Sequence, residues 1–113
     1  MIDAASIRDI IEVYTKHGWI LRRVLLSVSM RRSLCPDLID LFGEASLHDS
    51  DLDAAWFSRA TKDDGTAWEI RHLSTAPFAL LVVVKDEASE LENALLDTEF
   101  HLRETVTKKI TGH

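Results

Sequence analysis

Residues 78–84 (FALLVVV) form an unbroken apolar run, and the strand that they predict decides the fold. The run follows a turn at residues 74–77 and extends the strand to residues 78–85. Side chains alternate along a strand, so both of its faces are apolar. One face carries Phe78, Leu80, Val82 and Val84, and the other carries Ala79, Leu81 and Val83. A strand of this kind needs cover on both faces.

A second segment, residues 19–27 (WILRRVLLS), has the same property. It is rich in branched and aromatic residues and too short for a buried helix, which indicates a strand. Apart from Arg22 and Arg23, both of its sides are apolar. It too is predicted to be covered on both faces.

Between these segments the sequence predicts a hairpin, with strands at residues 54–61 and 66–73 and a three-residue turn ending at Gly65. This turn length places Arg59 opposite Glu69 and Ser58 opposite Ile70. A two-residue turn would pair Ala60 with Glu69 instead. We prefer the first register because it gives both an ion pair and an apolar face. That face carries Trp56, Trp68, Ile70 and His72.

Helical spacing predicts three helices. The first carries its apolar stripe at Ile7, Ile10, Ile11 and Tyr14 and ends at Gly18. A short helix covers residues 36–42, with proline in its first turn. Residues 44–53 are polar and acidic and are interpreted as a loop. A long helix covers residues 86–109, and Leu96 and Phe100 lie on one flank of its main apolar stripe.

Together these elements predict an α+β domain over residues 1–113. We expect a four-stranded, mostly antiparallel sheet, a short helix between its first two strands, and the first and last helices packed on one face. Two helices cover one face only, so something else must shield the other face: the short helix can do part of this, and a second copy of the chain can do it better. We therefore expect a homodimer. The predicted interface residues are Phe78, Leu80, Val82, Val84, Leu96 and Phe100.

Composition narrows the classes of protein to consider. The 113 residues are 46% hydrophobic and 28% charged, which is ordinary globular usage. The only cysteine is Cys35, which excludes an intramolecular disulfide and a zinc site built from several cysteines. The net charge of −6 argues against a nucleic-acid partner. We find no secretory signal and no apolar run near 20 residues, so we expect a cytoplasmic protein without membrane contact.

One candidate site combines Arg31, Arg32 and Cys35 immediately before Pro36. A cysteine at a helix start with cations nearby ionises more readily, and free amides at the same helix end attract anions. Arg22 and His72 are further candidate ligand-binding residues. The competing interpretation is a lone cysteine that packs as a small apolar side chain.

Other clusters carry weaker signals. His48, Asp49, Asp51 and Asp53 lack the glycine and the distant glutamate of a calcium loop, so we interpret them as a solvated acidic loop. The sequence contains no nucleophile elbow, phosphate-binding glycine loop or zinc-protease helix. We expect no metal and no cofactor.

Two functional hypotheses follow. The preferred one is a non-catalytic, homodimeric binding or adaptor module that contacts a protein partner. The alternative is a protein that binds a small anion or another small ligand, with a thiol enzyme as a variant, through the arginines and Cys35. The sequence names no substrate for either hypothesis.

Overall fold

The computed structural model describes residues 2–62, 65–74, 76, 78–85 and 88–110. Over these residues the chain has an α+β fold, with one mixed sheet and four helices. The helices are α1 (Ala4–Lys16), α2 (Val28–Leu34), α3 (Leu38–Phe42) and α4 (Ala88–Ile110). The strands are β1 (Ile20–Leu26), β2 (Ser46–Asp49), β3 (Ala54–Ala60), β4 (Gly65–His72) and β5 (Ala79–Lys85).

The sheet has five strands in the order β2-β1-β3-β4-β5, so β2 and β5 are its edges. β2 runs parallel to β1, and the other three pairings are antiparallel. The predicted sheet of four strands lacked β2, because these residues were interpreted as part of an acidic loop. β2 has four residues and a single apolar side chain, Leu47, which is too little for a periodic pattern to stand out.

Helices cover both faces of the sheet. Phe57 of β3 is fully buried against the side of α1, α2 and α3, and its neighbour Trp56 is fully buried against α4 on the opposite side. The prediction that the first and last helices share one face is therefore wrong. Because β1 and β3 are apolar on both sides, each side can bury its side chains only beneath a helix of its own.

The two faces hold separate cores. The first contains the buried side chains Ile2, Ile7, Val24, Leu26, Met30, Leu34, Leu41, Phe42, Ala55, Phe57 and Leu73. The second contains Leu25, Leu52, Ala54, Trp56, Trp68, Ile70, Val84, Leu95, Leu102 and Val106. The predicted apolar face of Trp56, Trp68 and Ile70 is thus confirmed as one side of the hairpin.

The register of the β3–β4 hairpin differs from the prediction by two residues. Arg59 lies opposite Ala67, and Glu69 lies opposite Phe57. Arg59 donates to the His17 carbonyl at 3.0 Å rather than to Glu69. The connection is closed by Thr61, whose backbone N–H donates to the Gly65 carbonyl at 3.0 Å; part of the predicted turn, at residues 63 and 64, lies outside the described residues.

The segment after β1 contains a helix that the sequence did not reveal. Ser27 caps α2 by accepting from the Met30 N–H at 3.2 Å, and Asp53 in turn accepts from the Ser27 N–H at 2.6 Å. The predicted short helix exists but begins at Leu38 rather than at Pro36.

Candidate functional site

Cys35 does not lie at the start of a helix. It is the C-terminal cap of α2, and its backbone N–H donates to the Arg31 carbonyl at 3.1 Å. The C-terminal end of a helix carries the negative end of the helix dipole, which does not favour a thiolate or a bound anion. The side chain is exposed rather than buried. The prediction that Cys35 lies at the start of a helix is therefore wrong.

The candidate arginines lie on two elements, Arg31 and Arg32 on α2 and Arg22 on β1. Arg31 pairs with Asp49 at 3.0 Å, and Arg32 is exposed on the same helix. Arg22 lies on β1 and donates from Nε to the Ser58 hydroxyl at 2.8 Å. The role of these residues in ligand binding stays a prediction.

His72 lies at the end of β4, opposite Ala54. Its Nδ1 is 2.9 Å from the hydroxyl of Ser74, and that hydroxyl donates to the Ala76 carbonyl at 3.0 Å. A nucleophile would have to donate its proton to the histidine, whereas Ser74 donates to the backbone. The pair therefore fastens the turn after β4. Burial lowers the pKa of His72.

The helices on the α1 side leave part of the sheet bare. α1 packs on β1 and β3 and reaches β4 through the hydrogen bond from Tyr14 to Glu69, and in the described residues no helix packs on this side of β5. We call this surface the open face. It carries Ala67, Glu69 and Arg71 of β4 and Ala79, Leu81 and Val83 of β5. Leu81 and Val83 are 59% and 58% exposed, which is high for side chains in the middle of a strand.

Tyr14 marks the border between α1 and the open face. Its ring stacks on Phe57 with centroids 4.0 Å apart and an interplanar angle of 7°. Its hydroxyl donates a short hydrogen bond to the Glu69 carboxylate. Burial, together with this carboxylate, raises the pKa of Tyr14, so the hydroxyl stays protonated at neutral pH. Glu69 is thereby satisfied by a donor from α1.

Arg71, two residues further along β4, serves the backbone. Its guanidinium donates to the carbonyls of His72, Ser74 and Ala76 and so holds the turn that leads to β5. Burial lowers the pKa of Arg71 without removing its charge. No buried side-chain nitrogen or oxygen in the described part of the chain lacks a hydrogen-bond partner. The polar side chains of the open face thus hold neighbouring parts of the fold together. Its exposed apolar side chains, Leu81 and Val83, remain available for contact.

A groove separates α1 from the open face. Near Arg71 it encloses about 290 Å³ and is also lined by Asp9, Ile10, Val13 and Tyr14. It continues towards Trp19 with a further volume of about 200 Å³. Val13 is 58% exposed on its wall. Glu69 and Arg71 of β4 lie between this groove and the exposed side chains of Leu81 and Val83 on β5.

The predicted interface residues of β5 lie on its other side. Val84 is buried in the core beneath α4, and Phe78, Leu80 and Val82 pack against the same core. The exposed residues are those that alternate with them, Leu81 and Val83. The sequence of β4 indicates which side of the sheet is exposed, because Glu69 and Arg71 alternate with apolar residues and mark a side that is not fully buried.

Leu96 and Phe100 are 61% and 54% exposed on α4. Leu96 shares its flank with Glu92, which pairs with Arg23 of β1, and with Glu99, which accepts from Trp56 of β3. That flank leans towards the middle of the sheet and away from the free edge of β5. The two predicted contact surfaces are therefore separate.

Comparisons with protein-family models, with curated proteins and with solved structures find no match to this chain. Among the described residues, no group of three acidic, histidine or cysteine side chains is placed to hold a metal ion. None of the helices in the described part of the chain has the length and apolar character that a membrane span requires.

Proposed function

We propose that this chain is a non-catalytic binding module that acts as a homodimer, with the two copies joined edge to edge through β5. One observation carries the proposal, namely that β5 is an edge strand without the usual protection. An edge strand presents unpaired N–H and C=O groups, and proteins normally guard such edges with charge, proline or short length.

The two edges of this sheet differ in that respect. β2 has four residues, three of them polar: Ser46, His48 and Asp49. β5 has seven residues, and the first six (ALLVVV) carry no charge, no proline and no hydroxyl. A long apolar edge left in water promotes aggregation unless a specific strand covers it.

A second copy of β5 fits this edge. In an antiparallel pair centred on Val82, Leu81 of one copy lies opposite Val83 of the other, because positions opposite each other sum to a constant. The open faces of the two copies then lie side by side on one continuous sheet, and their four exposed side chains contact one another as cross-strand neighbours. Such pairs of branched side chains stabilise adjacent strands.

Charge supports the same arrangement. Each chain has a net charge of −6, which opposes association in general. Residues 79–84 contain none of that charge, so the repulsion is weakest where the two strands would meet. The side chains around the groove hold structural elements together rather than aligning a nucleophile with a base, and this supports a binding role over a catalytic one.

The test is the molar mass of the purified chain by light scattering. We expect twice the monomer mass of 12.8 kDa. The double variant Leu81→Lys/Val83→Lys should give the monomer mass, because it places like charges opposite each other across the two-fold axis. Both side chains are largely exposed, so the monomer should stay folded.

Two controls make the test specific. Val28→Lys changes another exposed valine, 67% accessible on α2, and should leave the dimer intact. Leu96→Lys/Phe100→Lys should also leave it intact, because that flank of α4 is directed away from β5. A monomeric wild-type chain would contradict the proposal, as would a Leu81→Lys/Val83→Lys variant that remains dimeric.

A further inference from the structure

We draw no further inference here: the strongest candidate, the flank of α4 on which the side chains of Leu96 and Phe100 are exposed, is an unpartnered apolar surface, and nothing in the described part of the chain shows what covers it.

Discussion

At the scale of single residues, the half-buried imidazole of His72 makes stability depend on pH. Burial holds its pKa below the ordinary value of 6.5, and the charge of Asp53 offsets only part of that effect. The unfolded chain therefore binds the proton more readily than the folded one. The free energy of unfolding should fall as the pH drops below about 6.5, by at most about 1.4 kcal/mol per pH unit from this group.

Urea unfolding between about pH 5.5 and 7.5 measures this dependence at a fixed protein concentration. His72→Gln should remove part of the slope, whereas His101→Gln, at an exposed position on α4, should keep it. Identical slopes for the wild type and His72→Gln would show that another group causes the pH dependence.

Also at this scale, the sequence did not predict the hydrogen bond between Tyr14 and Glu69, the pair that borders the groove. Tyr14 and Glu69 are 55 positions apart. The prediction assigned Tyr14 to the apolar stripe of the first helix, which is correct for its ring but says nothing of its hydroxyl. It also gave Glu69 to Arg59, a plausible cross-strand partner. The path of α1 across the sheet and the register of the hairpin together decide between the two partners.

At the scale of elements, long patterns were predictable and short ones were not. The first and last helices and the strands β1, β3, β4 and β5 all exist near their predicted bounds. β2 was not predicted, because an edge strand of four residues needs little apolar character. α2 was not predicted either, because only Met30 and Leu34 of its seven residues are buried and they form too short an apolar stripe to recognise.

The hairpin register shows a subtler limit. A slip of one residue would exchange the two faces of the strands, whereas the observed difference of two residues leaves each side chain on its face. The face of Trp56 and Trp68 was therefore predicted correctly from a wrong register. Apolar alternation determines the face, and the turn determines the register.

The long helix α4 offers a test of the layered architecture. Leu95 is fully buried against the sheet, and its neighbour Leu96 is 61% exposed. Leu95→Ala should lower the free energy of unfolding by about 2–5 kcal/mol because it leaves a cavity. Leu96→Ala should change it by less than about 0.5 kcal/mol.

Denaturant unfolding of both variants at one protein concentration makes the comparison. The substitutions are chemically identical and sit next to each other in one helix, so differences in helix propensity cancel. Equal losses of stability would show that α4 does not pack on the sheet through Leu95.

At the scale of the whole molecule, the distribution of helices over the two faces was the least predictable feature. Strands that are apolar on both sides fit two arrangements equally well: one helix layer plus a partner, or a helix layer on each side. The chain adopts the second arrangement over β1 and β3. At β5, no helix in the described part of the chain packs on the α1 side of the sheet, so Leu81 and Val83 stay exposed there.

Net charge should make the proposed dimer sensitive to salt. Two chains of charge −6 repel each other, and salt screens that repulsion. The dissociation constant, measured by sedimentation equilibrium, should fall several-fold between about 0.02 and 0.2 M sodium chloride. Glu90→Gln/Glu104→Gln, at exposed positions of α4, should reduce this salt dependence. A dimer that dissociates as salt is added would instead be held together by ion pairs.

The brevity and polarity of β2 have a consequence for how large any assembly grows. A chain with two adhesive margins would add copies without end and form filaments. In the proposed dimer, the pairing of two β5 strands would use the one adhesive margin of each copy, and both outer margins would be β2. Growth of the proposed assembly would therefore terminate after a single joining step and give a closed particle of defined size.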